Sequence, residues 1–295
     1  MAQADVSTFR HFNRKFTQRI GVLDERFLGQ NRSLGPARLL FEIGRGGARV
    51  LDLRSQLGLD SGYLSRLLRG LESEGLISVD PDPEDRRRRI ATLTSHGQQE
   101  WNELDIRSEQ LAQRLVAPLS ETQRARLDDA LATAERILAS ASATFDVVDS
   151  RSSEANWAVA QYFSELDLRF DEGFDAGGAI EEEALRYDAP DGVFVVVHCD
   201  GDAIACGGLS TLEYGVGEIK RMWVSEYFRG AGLGPRLLAE LEKHSRRLGH
   251  QRLLLDTNRS LTEAIAMYHR NGYTGIERYN DNPYAQLWFE KKLSG

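Results

Sequence analysis

The feature that most constrains this chain is a strand-like run that passes through a glycine-rich loop into a helix-like run. Residues 218–224, EIKRMWV, alternate and close on apolar residues, which predicts a strand. Arg229, Gly230, Ala231, Gly232, Leu233 and Gly234 follow as a loop, and apolar residues at 237, 238, 241 and 248 then recur at roughly helical spacing. Strand, glycine loop and helix make an anion cradle. Glycines let the backbone approach closely, the first helical amides are unpaired, and the helix dipole favours negative charge there. A pyrophosphate fits such a cradle. The spacing is not GxGxxG, and no Lys-Ser/Thr pair follows, so dinucleotide and P-loop readings are disfavoured.

Arg-x-x-Gly-x-Gly after a strand resembles the acyl-CoA loop of the GNAT acetyltransferases, and the resemblance continues through LLLDTNRSLTEAIAMYHRNGY to WFEKKL, covering about residues 154–293. It implies an α/β domain with a mixed, mostly antiparallel sheet and acetyl-CoA as cosubstrate. By resemblance, the loop residues Arg229 to Gly234 take the pyrophosphate, and main-chain amides at Met222, Trp223 and Val224 hold the pantetheine arm and polarise the thioester. Glu218 stands where such enzymes often carry a general base, the alternative being a structural ion pair. Tyr268 matches a tyrosine that protonates the departing thiolate, the alternative being a packed aromatic. Two departures stand out. Leu261 replaces an asparagine that bonds CoA in many such sequences, with Asn258 as a candidate substitute, and Pro235 removes one amide from the first helical turn. Ser260 and Glu263 have the spacing of a capping box for the helix carrying Tyr268.

The acceptor region is implied more loosely. Phe170 and Phe174, in the acidic stretch RFDEGFDAGG, and Tyr279, Asn280, Asn282 and Tyr284, ahead of the final strand AQLWFEKKL, are candidate substrate contacts. They suit a small polar amine, an amino acid or a lysine side chain. Val193–Cys199 and Ala203–Ser210 flank Asp200-Gly201-Asp202, a hairpin signal.

The first half reads differently. Phe9, Phe12, Phe16, Ile20, Leu23 and Phe27 recur at steps of three and four and predict one long amphipathic helix, whose stripe is either core packing or a dimer seam. A second helix starts about Pro36 and ends near Gly44. A short helix then reaches Leu57, Gly58 ends it, and Asp60 or Ser61 caps another running to Glu74. Such spacing is that of a helix-turn-helix. Leu64, Leu67, Leu68 and Leu71 take one face of its second helix and leave Ser61, Tyr63, Ser65, Arg66 and Arg69 for base edges and phosphates, or for a solvated surface. LISV and RRRRIATLT predict two strands around a proline-broken acidic turn. LDSGYLSRLLRGLESEGLISV, with Asp85 and Arg87 beyond it, resembles the MarR winged-helix repressors over about residues 6–140. That resemblance implies a mainly α winged helix-turn-helix domain, an operator of double-stranded DNA, wing contacts at Asp85 and Arg87, and a homodimer built from the first helix and two later ones. Those later helices divide around Pro118, with Ser120 and Gln123 spaced as a capping box.

The charge divides with the halves. Residues 1–145 hold 21 Lys and Arg against 20 Asp and Glu, a net of +1, whereas residues 146–295 hold 16 against 25, a net of −9. Only the first half tolerates DNA, and there the argument rests on local arginines. Expected boundaries are a DNA-binding and dimerisation domain at 1–145, a linker at 146–153 and a transferase domain at 154–295. Cys199 and Cys206 read as core positions, with no metal site at ligand spacing. With no signal peptide and no apolar run near the roughly 18 residues a membrane span requires, the expected location is cytoplasmic, away from membranes. Two other readings stay open: an acetyl-CoA-sensing regulator with little catalysis, and an acetyltransferase that uses the winged helix only as a dimer scaffold.

Overall fold

The computed structural model describes residues 6–22, 26–83, 85–170, 173–175 and 184–293. The chain forms two compact units, Met1–Ala125 and Arg126–Gly295.

In the first unit, helices α1 (Ser7–Arg19), α2 (Leu34–Ile43), α3 (Val50–Leu57), α4 (Ser61–Ser73) and α5 (Ser95–Val116) accompany a three-stranded antiparallel sheet. Its strands β1 (Ala48–Arg49), β2 (Ile77–Pro81) and β3 (Arg89–Leu93) lie in the order β1-β3-β2. Leu39, Leu40, Ile43, Leu53, Leu64, Leu71 and Leu76 fill the core. Gly58 adopts φ 60° and ends α3, and the Asp60 carboxylate accepts from Tyr63 N at 2.9 Å to start α4. Both features follow the expected turn chemistry.

Three expectations for this unit change. α1 stops at Arg19 because Gly21 turns the chain at φ 70°, so Phe27 belongs to a separate 3₁₀ turn packed on the core, and Leu23 lies outside the described residues. No residue of α1 is buried; Phe9 and Phe12 are 56% and 50% exposed. The wing strand begins only at Arg89: Arg86, Arg87 and Arg88 occupy the turn, where Arg88 pairs with Asp85 at 3.3 Å. Asp82 pairs with Arg49 of β1, a strand with too few residues to show a period.

Helix α6 (Glu121–Ser142) runs from the first unit into the second, and Ser120 and Gln123 form the expected reciprocal cap at its start. Residues 144–148, which straddle the expected domain boundary at 145 and the start of the expected linker, are strand β4, which pairs Thr144 to Val148 with Phe194 to His198. The second unit thus begins ahead of the linker, at Arg126.

Among the described residues that unit has seven strands: β4 (Thr144–Val148), β5 (Gly192–Cys199), β6 (Asp202–Glu213), β7 (Val216–Val224), β8 (Arg252–Thr257), β9 (Thr274–Ile276) and β10 (Leu287–Lys292). They lie in the order β4-β5-β6-β7-β8-β10-β9, antiparallel except for β7 and β8. Helices α7 (Ser153–Arg169), α8 (Leu233–Arg247) and α9 (Thr262–Arg270) pack on it. Asp200 and Gly201 take φ 52° and 93°, as a tight hairpin requires. Among the described residues no helix is long and apolar enough to cross a membrane.

Candidate active site

The parallel pair that the described residues of the large sheet contain sets the site. β7 and β8 pair from Val216↔Arg252 to Ile219↔Leu255 and no further, while β7 continues to Val224. Beyond Ile219 that side of β7 has no partner strand among the described residues, and two cavities open there. The first, about 710 Å³, is lined by Tyr162, Glu165, Leu166 and Arg169 of α7, by Met222, Trp223 and Val224, by Arg229, Gly230, Gly232 and Gly234, and by the start of α9. The second, about 530 Å³, lies over Glu218, Lys220, Arg221, Asp256, Asn280, Asn282 and an aromatic wall of Phe163, Phe170, Phe174 and Tyr284. Tyr162, Leu166, Met222, Leu261, Ala264 and Tyr268 line both, so the cavities meet at these side chains.

Glu218 is 6% exposed and heavily bonded. Its Oε1 accepts from Tyr279 Oη at 2.9 Å and Asn280 Nδ2 at 3.3 Å, with Lys220 Nζ at 3.6 Å. Asp256 Oδ2 accepts from Asn280 at 2.7 Å, Asn282 at 3.0 Å and Lys220 at 3.3 Å. Two buried carboxylates thus share one lysine and a ring of amides. Burial, then the Glu218 charge beside it, drives the Tyr279 phenol far above its ordinary pKa and keeps it a donor.

At the junction, burial and then Asp256 raise the Tyr268 pKa; burial, then Tyr268, does the same for Tyr162. Both are protonated phenols at neutral pH. The glycine loop is bare backbone: Gly230 and Gly232 take φ 79° and 85° with open space where a Cβ would stand. A Cβ on Gly234 would stand 2.9 Å from Met267 Sδ. The loop is also fastened from behind, since Ser140 Oγ of α6 donates to Ala231 O at 3.0 Å and Arg236 donates to Ser140 O.

The expected residues fall into three groups. Met222, Trp223, Val224, Arg229, Gly230, Gly232, Gly234 and Tyr268 line the first cavity, and Phe170, Phe174, Asn280 and Tyr284 the second. Others stand behind the walls. Leu233 is buried in the core, Ala231 is tied to α6, and Tyr279 reaches the site only by holding Glu218. Asn258 belongs to the second cavity, not the first: Nδ2 donates to Tyr284 O and Oδ1 accepts from Ser260 N, which spends its amide on the loop. The Ser260–Glu263 capping box does not form either; α9 starts at Thr262, and Glu263 faces Arg169 at 3.4 Å. Arg229 donates to Val224 O and to Glu165, which also accepts from Trp223 Nε1 at 3.0 Å. Residues 171–172 and 176–178 of the acidic stretch lie outside the described residues.

Sequence reasoning missed Lys220, Arg221, Asp256, Tyr162 and Glu165. Lys220 was within reach, since it lies two residues after Glu218 on a strand and so on the same face. The other four are brought in by sheet pairing, a bulge and helix packing.

In the first unit, Ser61, Tyr63, Ser65, Arg66 and Arg69 all lie exposed on α4, with Arg66 over the Tyr63 ring at 5.7 Å. Asp85 accepts from Arg87 N at 3.0 Å and shapes the turn that exposes Arg86 and Arg87.

Comparison with known proteins agrees with this division. Residues 156–273 match the acetyltransferase (GNAT) family model and residues 37–88 the MarR family model. The chain is similar to an IAA acetyltransferase of Azospirillum brasilense, 32% identical over 153 residues that span 50% of this chain and 99% of that protein. It is also similar to an uncharacterised HTH-type transcriptional regulator of Bacillus subtilis, 32% identical over 81 residues, 28% of this chain and 49% of the regulator. Among solved structures, a GNAT-family acetyltransferase of Staphylococcus aureus aligns with a TM-score of 0.44 and 15% identity, covering 51% of this chain and all of that one.

Proposed function

The chain belongs to the GNAT acetyltransferase family through its C-terminal domain and carries a MarR-type winged helix ahead of it, and from that premise we propose that it is both an acetyl-CoA-dependent N-acetyltransferase acting on a primary amine and a DNA-binding regulator. The observation that carries the enzymatic half is the junction. A backbone-lined cavity and a charged cavity meet at Tyr268 and Met222, with Glu218 in the wall of the second.

The residues fit the cosubstrate. Glycine backbone at 230 and 232 faces open space, as a pyrophosphate needs, and the unpaired edge of β7 from Met222 to Val224 suits an extended pantetheine amide chain. Acetyl-CoA supplies the acetyl group as a thioester, whose oxygen gathers charge during attack. Main-chain N-H groups of that edge stabilise this charge. Glu218, held by Tyr279 and Asn280, takes the ammonium proton directly or through water, and Tyr268 gives its proton to the leaving sulfur. Transfer is direct: Cys206 is buried, its thiol pKa pushed up to about 12 by burial, and it lines neither cavity.

Thiol release across a panel of amines, amino acids and basic peptides tests the reading. Glu218→Gln is expected to lower kcat by about 10²–10⁴ and Tyr268→Phe by about tenfold or more. Unchanged turnover in both variants across pH would remove the two roles.

For the N-terminal domain, the exposed Arg66 and Arg69, with Arg87 on the wing, support major-groove and backbone contacts, and the uncovered Phe9, Phe12 and Phe16 support a homodimer. A salt-dependent mobility shift on the DNA upstream of the chain's own gene tests the first; no shift at low salt would overturn it.

A further inference from the structure

Glu218 and Asp256 reach the same spot from different strands. Glu218 lies in β7, and Asp256 stands in β8 one position past Leu255, where the parallel pairing of the two strands stops. Asn280 Nδ2 touches both, 3.3 Å from Glu218 Oε1 and 2.7 Å from Asp256 Oδ2. Lys220 Nζ does the same at 3.6 Å and 3.3 Å. The Glu218 and Asp256 side chains are 8% and 7% exposed, so this is a like-charge pair held away from water.

Asp256 has a task of its own here. Its Oδ2 also accepts from Asn282 Nδ2 at 3.0 Å, and Asn282 Oδ1 accepts from Tyr284 N at 3.1 Å. Asn280 Oδ1 takes the indole N-H of Trp288 in β10 at 3.0 Å, which turns its Nδ2 to the two carboxylates. Asp256 is thus the post that holds Asn280 and Asn282, and both line the second cavity together with Tyr284.

The post brings a difficulty. A base must be ionised before it can take a proton. Burial and a second carboxylate close by both favour the protonated form of Glu218, and a positive charge beside both acids opposes them. Lys220 supplies that charge. The strand pairs regularly from Glu218↔Ser210 to Lys220↔Gly208, so Lys220, two residues on, shares the face of Glu218. From there its Nζ crosses to β8 and donates to Asp256 Oδ2.

Resting on the acetyltransferase reading above, in which Glu218 takes the ammonium proton, we propose that Lys220 is a positioning residue for that step. It exchanges no proton with the acceptor. It keeps Glu218 ionised beside Asp256, so that one carboxylate builds the acceptor wall while the other serves as base. The remaining titratable or charged side chains around the pair are Tyr279, Tyr162 and Tyr268, all protonated phenols, and Asp175, Arg186 and Arg221 among the described lining. They are common to every variant below, so their influence cancels in a ratio of variant to parent.

The full chain is assayed by thiol release with acetyl-CoA and ethanolamine, L-methionine or a lysine-bearing peptide, and the fastest of the three is carried through a pH series. Titration of the acceptor also drops out of the variant-to-parent ratio of kcat/KM. For Lys220→Gln that ratio is expected to fall about tenfold from about pH 8.5 to about pH 5.5. Lys220→Arg keeps the charge and should hold the ratio within about threefold over the same range. In an Asp256→Asn background Glu218 has no second carboxylate beside it, and the same Lys220→Gln change should show a pH-dependent loss of about threefold or less. A packing role would lower the ratio equally at every pH. A ratio for Lys220→Gln that is flat with pH, or a fall that Asp256→Asn leaves undiminished, overturns the proposal while the acetyltransferase stands. Where Lys220→Gln does not fold, Asp256→Asn alone decides: its ratio should hold or rise towards acid pH, and a fall there overturns the proposal. Glu218→Gln with an unchanged pH profile, or acetyl-CoA binding without turnover of any of the three acceptors, overturns the reading beneath it.

Discussion

The two domains dispose of apolar surface and charge in opposite ways. The C-terminal domain buries its apolar residues on both faces of a seven-stranded sheet and keeps Glu218, Arg221 and Glu242 inside, each under a tenth exposed. The N-terminal domain keeps its charged candidates on the outside of α4 and its wing, and leaves the whole aromatic face of α1 uncovered, with Phe12 and Phe16 stacked at 5.4 Å. A buried charge near a cavity suits chemistry on a small molecule, because low dielectric strengthens its field. Exposed arginines suit a polyanion, and an uncovered aromatic face suits a second protein surface.

The largest effect that would sharpen this contrast comes from Gly97 in α5. A Cβ there would stand 1.8 Å from the carbonyl oxygen of Leu76, an overlap with backbone that no rotamer relieves. Gly97→Ala is expected to destabilise the N-terminal domain by about 3 kcal/mol. Calorimetry should show one transition falling by many degrees; a change confined to the C-terminal transition would break the comparison.

Next comes the uncovered face. Phe12→Asp with Phe16→Asp places two charges on it and should weaken self-association by about tenfold or more, read by sedimentation. An unchanged dimer would move the interface elsewhere. Smaller still is the loss of single phosphate contacts: Arg66→Ala and Arg69→Ala should each lower the slope of log affinity against log salt by about 1. An unaltered slope would make α4 a solvated surface.

The same contrast decides what was legible in the sequence. α4 carries its leucines and its polar face within thirteen residues, so its periodicity alone places every candidate side chain. The transferase site draws on β7, β8, α7 and the segment before β10, and only Glu218, Tyr268, the loop and the late polar residues stood within recognisable runs. Asp256 meets Lys220 across thirty-six positions because β8 pairs in parallel with β7. Arg221 reaches the cavity through a one-residue slip that no alternation pattern announces. Asn258 misled for a related reason: an asparagine suited to a ligand is equally suited to closing its own loop, and here it does the latter. The small polar residues around TFDVV hid β4, whose polar–apolar alternation runs only from Thr144 to Val147 before a second valine breaks it.

The smallest effect separates the domains by pH. His250, in the loop before β8, is 5% exposed, with Nδ1 2.9 Å from Ser245 Oγ and Nε2 2.9 Å from Thr211 Oγ1. Gly217 lets it in, since a Cβ there would stand 2.5 Å from Nδ1. Burial holds its pKa below the ordinary value, and burial does the same for His244 on α8. Because the folded pKa is depressed, the unfolded chain binds the proton first on acidification. The neutral histidines therefore contribute their full stability above a pH of about 6.5 and lose it as the pH falls below that value. Both histidines belong to the C-terminal domain, so the acid loss should appear in its transition. Thermal scans from about pH 7.5 to about pH 5.5 should show that transition falling, and His250→Gln should flatten part of the slope, with His244 supplying the rest. A slope that His250→Gln leaves whole would place the titrating group outside the Ser245–His250–Thr211 chain, and an equal fall in both transitions would erase the distinction between a domain that buries its titrating groups and one that displays them.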